Sequence, residues 1–110
     1  MEGPALLTTG TWDVNAQFWP DWRLHKMAFD TAKPGQQFAL VIQGADHYFG
    51  NIICRPERDQ PAQRDAFSLL AMTTTAFLDT YLKDDTSAAA LVNTPALSEV
   101  TEGFAELSRR

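Results

Sequence analysis

Apolar residues fall along this chain in two kinds of pattern. Pro4-Ala5-Leu6-Leu7-Thr8-Thr9 is a short, nearly unbroken apolar run ended by Gly10. Phe38-Ala39-Leu40-Val41-Ile42 is a second run, launched by the turn Lys33-Pro34-Gly35-Gln36 and closed by Gly44. Runs of this length without alternation predict strands buried on both faces, as in a parallel sheet. From about Arg64 to Lys83 the pattern changes to the helical period. Phe67, Leu70, Ala71, Thr74, Phe77, Leu78, Tyr81 and Leu82 share one face at 3.6 residues per turn. Asp79 and Lys83 form an i,i+4 pair on the opposite side, while Leu69 and Met72 point away from the main face and predict a second contact surface.

The connections read less sharply. Thr11–Asn15 carries turn-forming residues, and 16–29 is rich in aromatics (Phe18, Trp19, Trp22, Phe29), with a short helix expected within Pro20–Met27. A long loop runs from Ala45 to about Gln63. Beyond Asp84 the expectation is a peripheral tail over 84–110, with one helical turn at Ala88–Val92 and an irregular end after Pro95-Ala96-Leu97-Ser98. The order is strand, aromatic connection, strand, loop, helix. Two parallel strands need a crossover between them, which the aromatic segment can supply. Two strands make a poor sheet by themselves, so the chain reads as a single but partial α/β domain spanning residues 1–110.

Composition narrows the function. Hydrophobic residues make up 45% of the 110 and aromatics 11%, too many for a disordered segment. A net charge of −5 with scattered basic residues leaves no cationic stripe for phosphates, which argues against nucleic acid. No apolar run approaches the roughly 20 residues of a membrane span. Residues 1–9 lack the basic start of a signal peptide, and any leader is expected upstream of this segment, so destination stays open. The lone Cys54 excludes an internal disulfide.

Two positions carry candidate chemistry because each lies just past the carboxyl end of a predicted strand: Asp13 after the first, His47 after the second. Ligands of open parallel sheets bind outside those strand ends. A carboxylate that accepts from an imidazole Nδ1–H fixes its tautomer and stabilises the imidazolium formed during turnover.

Here Thr9-Gly10-Thr11-Trp12-Asp13 resembles the turn that carries the triad acid in α/β-hydrolases. The stretch Leu40-Val41-Ile42-Gln43-Gly44-Ala45-Asp46-His47-Tyr48-Phe49-Gly50 resembles their last strand and histidine loop, and Phe67–Leu82 their final helix. The pattern is most similar to dienelactone-hydrolase-like, chlorophyllase-like and acetylhydrolase-like members and covers roughly residues 4–83. The resemblance implies the carboxy-terminal part of that fold: its last two parallel strands, a connecting helical segment and the final helix. It implies a serine ester hydrolase with Asp13 as triad acid and His47 as general base, without cofactor or metal, acting on a small ester. A serine on a Gly-x-Ser-x-Gly elbow is expected upstream in chain order. None of the six glycines here frames a serine in that motif, and Ser68, Ser87, Ser98 and Ser108 sit on helix or tail. The chain is therefore expected to be inactive alone and to need the missing amino-terminal half as partner.

Other residues carry competing readings. Asp21 is the fallback acid; Asp46 is expected to shape the loop. His25 is expected to be a surface or packing residue, and Cys54 a free thiol. His25, His47 and Cys54 lack the close spacing of zinc motifs. Trp12, Phe18, Trp19 and Trp22 belong either to the core or to the wall of an ester pocket, with Trp12 nearest the site as a candidate substrate contact. The rival functional class is a small non-catalytic α/β domain that self-associates or binds a partner through its exposed sheet edge.

Overall fold

The computed structural model describes residues 3–15, 17 and 20–110; Phe18 and Trp19 of the aromatic segment lie outside the described residues. The first run is strand β1, Ala5–Gly10, and the second is β2, Gln37–Ile42. They pair in parallel, in register from Ala5↔Gln37 to Gly10↔Ile42. The crossover between them contains a 3₁₀ turn, Trp22–Lys26, that runs directly into the short helix α1, Met27–Asp30. The long helix α2 occupies Arg64–Lys83, the span its periodicity predicts.

The tail corrects the sequence expectation. Residues 84–110 are an integral part of the fold, forming helix α3 (Thr86–Val92), helix α4 (Ala96–Val100) and a third strand β3 (Ala105–Arg109). β3 runs antiparallel to β2, giving the sheet order β1-β2-β3 and placing β2 in the middle. Val92, Leu97, Ala105 and Leu107 all enter the main core. The local physics is readable in retrospect. Asp84 adopts a left-handed conformation that stops α2, and Asp85 caps α3 by accepting from the backbone N–H groups of Ser87 and Ala88. In β3, Ala105 and Leu107 face inward while Glu106 faces solvent, the period-2 alternation of a strand with one wet face.

The central position of β2 explains its unbroken apolar run: every one of its residues is buried. Phe38, Leu40 and Ile42 pack with α2 and the tail elements, with the Phe38 and Phe77 rings edge-to-face at 5.8 Å. Ala39, Val41 and the Phe29 side chain of α1 are buried outside that cluster. β1 does not reach the same burial. Ala5, Leu6 and Leu7 are half-buried and Thr8 is exposed, because among the described residues no strand pairs with its outer side.

Helix α2 is rotated from the expected face. Its fully buried positions are Ala66, Thr73 and Ala76, small residues that let the helix lie close. Leu69, Leu70, Phe77 and Tyr81 pack beside them, whereas Ala71, Leu78 and Leu82 are exposed. The sequence pattern favoured the larger side chains; the tail helix α3, which packs against α2, adds a neighbour that the pattern could not anticipate. Leu69 packs on the same core as Leu70 and Phe77, and Met72 is exposed, so the two do not form the second contact surface expected.

Candidate functional site

The site is built where β1 and β2 end side by side. Residues 10–12 join the two ends. The Thr11 N–H extends the ladder to the Ile42 carbonyl, and its hydroxyl accepts from the Gly44 N–H at 2.7 Å. The Trp12 N–H donates to the Ala45 carbonyl at 3.0 Å. A Cβ at Gly10 would run into that same Ala45 carbonyl, so the two loops approach as closely as they do only because residue 10 has no side chain. Within the first of these turns, the Thr9 hydroxyl donates to Asp13 Oδ2 at 3.2 Å.

The histidine loop is fixed from its own side. Gly44 turns the chain at φ +76°. The Gln63 side chain accepts from the Asp46 N–H and donates to the Gly44 carbonyl, both at 3.0 Å, tying the loop's start to the foot of α2. Asp46 Oδ1 accepts from the N–H groups of Tyr48 at 2.9 Å and Gly50 at 3.0 Å, and Arg58 lies 3.6 Å from the same oxygen. Asp46 is the loop-shaping residue its position suggested.

Between these two braced ends, His47 Nδ1 lies 3.1 Å from Asp13 Oδ1. The Asp13 side chain is 13% exposed and that of His47 65%. With Nδ1 turned to the carboxylate, a neutral His47 that donates from Nδ1 keeps a lone pair on Nε2, on an exposed ring. The arrangement is that of an imidazole oriented by a partly buried carboxylate, able to accept a proton from a group brought to Nε2.

A third group completes the cluster and was missed in the sequence. His25, from the 3₁₀ turn of the crossover, brings Nε2 to 3.4 Å from the same Asp13 Oδ1, with its ring centroid 6.4 Å from that of His47. Nothing in the local pattern of Trp22–Lys26 signals this. The crossover returns His25 to Asp13, twelve residues behind it, a consequence of topology. Asp13, His25 and His47 face a hollow of about 230 Å³, walled by Thr9, Ala45, Phe49 and Leu70 among others. A larger hollow of about 760 Å³ lies against β1 and α1; among the described residues Lys33 is the only charged one around it and no carboxylate, histidine or cysteine lines it.

The remaining candidates sit elsewhere. Trp12 is 65% exposed and does not line the site hollow. Asp21 caps the 3₁₀ turn. The Arg23 backbone N–H bonds its carboxylate, and that bond, with the guanidinium beside it, holds Asp21 below the usual carboxylate range. Cys54 is an exposed thiol with no disulfide partner. No serine lines the hollow: Ser68, Ser87, Ser98 and Ser108 stand on α2, α3, α4 and β3. Among the described residues no group of three or more His, Cys, Asp or Glu side chains could hold a metal ion. No helix among them is long and apolar enough to cross a membrane.

Comparisons of the chain with family models, with curated proteins and with solved structures find no match.

Proposed function

We propose that this chain supplies the acid and the base of a serine-hydrolase triad for a small carboxylic ester, with the nucleophile and oxyanion-hole donors contributed by a segment that adds to the outer edge of β1. The observation that carries the reading is the 3.1 Å contact between His47 Nδ1 and Asp13 Oδ1 at the carboxyl ends of two adjacent parallel strands. A serine hydroxyl brought to His47 Nε2 would lose its proton there as it attacks the ester carbonyl. His47 would then return that proton to the departing alcohol, while Asp13 holds the ring and balances the imidazolium. The edge of β1 is the natural place for the additional segment, because a parallel strand added there ends beside the same hollow.

The test is to find and attach that segment. The coding sequence directly upstream of Met1 should encode, in frame, a Gly-x-Ser-x-Gly elbow following an apolar strand. The extended polypeptide should hydrolyse p-nitrophenyl acetate and lose nearly all activity in Asp13→Ala and His47→Ala. The 110-residue chain by itself should neither turn over the ester nor react with a fluorophosphonate probe. Turnover that survives His47→Ala in the extended polypeptide would sink the proposal.

A second reading rests on the same unpaired edge. A small α/β domain without catalysis would use β1 to pair with another copy or another protein. Sedimentation of the purified chain separates the two: concentration-dependent dimerisation with no elbow encoded upstream favours this reading.

A further inference from the structure

We infer that His25 is a positioning residue for Asp13: a second imidazole that, with His47, shares one carboxylate oxygen and holds the acid in the orientation the base requires. This rests on the reading of Asp13 and His47 as an acid–base pair. The geometry supports it from three elements at once. Thr9, on β1, donates to Oδ2 at 3.2 Å; His47, on the loop after β2, meets Oδ1 at 3.1 Å; His25, on the crossover, reaches the same Oδ1 at 3.4 Å.

Asp13 is largely withdrawn from water, so a carboxylate there depends on protein donors for the stabilisation that solvent would otherwise give. Thr9 reaches it from its own strand and restrains only Oδ2. His47 is mostly exposed, so its own position offers Asp13 little resistance to rotation. The His25 side chain is only 22% exposed and belongs to a turn that Asp21 caps by accepting from the Arg23 N–H. It is therefore the less exposed of the two imidazoles that meet Oδ1. Fixing Oδ1 in this way keeps it in line with His47 Nδ1, and that contact sets the His47 tautomer.

The tautomer is the readout. Nitrogen NMR of the purified 110-residue chain distinguishes Nδ1–H from Nε2–H imidazole. His47 should be in the Nδ1–H form, which a free imidazole disfavours. In His25→Leu, with one contact to Oδ1 removed, the ratio of Nδ1–H to Nε2–H at His47 should fall about two- to fivefold, as expected for loss of one weak polar contact. His25→Gln, whose amide can donate to Oδ1, should restore much of that ratio. An unchanged or raised ratio in folded His25→Leu overturns the inference; a rise would make His25 a competitor for Asp13. His47 found as Nε2–H in the unmutated chain instead removes the acid–base pair itself, whatever His25 does. Should His25→Leu not fold, Asp13→Asn gives the second measurement. The ring-nitrogen resonances of His25 should then move along with those of His47, and a His25 signal indifferent to Asp13→Asn overturns the proposal.

Discussion

The two edges of this three-stranded sheet are finished in opposite ways. β3 is short, alternates apolar with polar residues, carries Glu106 on its wet face and ends in Arg109 and Arg110. Charges and brevity of this kind stop a sheet from recruiting further strands. β1 has six residues, Ala5 to Gly10, and no charge among them. Its ladder to β2 is bracketed by bonds from the Ala5 and Thr11 N–H groups, so the odd-numbered residues face β2 and Leu6 and Thr8 turn their backbone N–H and carbonyl groups outward. Apolar hollows flank it on both sides, one against α1 and the other against Leu70, Thr74, Phe77 and Leu78 of α2. The comparison teaches that burial within one sheet follows neighbours more than residue type. Leucines on β1 stay half-exposed, while the far less apolar β3 places Ala105 and Leu107 in the core.

Substitutions on the two edges and in the core between them test this contrast. Leu107→Ala on β3 should cost about 3 kcal/mol in denaturant unfolding, because it empties a buried site, whereas Leu6→Ala on β1 should cost about 1 kcal/mol. Equal losses would mean that β1 is as well packed in solution as β3. Gly10→Ala should cost about 2 kcal/mol or more by forcing the strand end off the Ala45 carbonyl. It should also shift the NMR signals of Asp13 and His47 together, while Gly35→Ala, with open space around it but φ +136°, should disturb neither. Thr73→Val tests the other side of the core. The Thr73 hydroxyl is buried without a hydrogen-bond partner among the described residues, so its replacement by a methyl should raise stability by about 1 kcal/mol. The smallest change in stability, within about 0.5 kcal/mol, is expected for Thr8→Lys at the bare edge. That variant should nonetheless suppress any concentration-dependent association seen by sedimentation, while Glu106→Lys on β3 should leave it unchanged.

Much of this was legible in the chain, for identifiable reasons. The continuous run Phe38–Ile42 announces a strand covered on both faces, and β2 is that strand. The limits of α2 were readable because apolar residues keep the helical period from Arg64 to Lys83 and Asp84 breaks it. Asp13 and His47 could be paired because each follows a strand end, and parallel register brings such ends together. Three things could not be read locally. The packing of α2 includes the tail helix α3, a neighbour that its own pattern could not anticipate. The five-residue alternation of Ala105–Arg109 is too brief to stand out from a polar terminus until β2 offers it an edge. His25 owes its place beside Asp13 to the path of the crossover, and no spacing within Trp22–Lys26 encodes that.

The contact between Gly10 and the Ala45 carbonyl has a consequence for recognising other chains built this way. Gly10 stands three residues before the acid, and Ala45 two residues before the histidine. Their backbones touch across a gap of thirty-five positions, so neither can be varied freely while the other is kept. A side chain at the first displaces the second, and a shift of either loop changes the acid-to-histidine distance directly. Sequences that share the site should therefore show the two positions changing in concert. That paired constraint is a sharper search pattern than either short motif taken singly, because it joins two stretches of sequence that only the folded strand ends bring together.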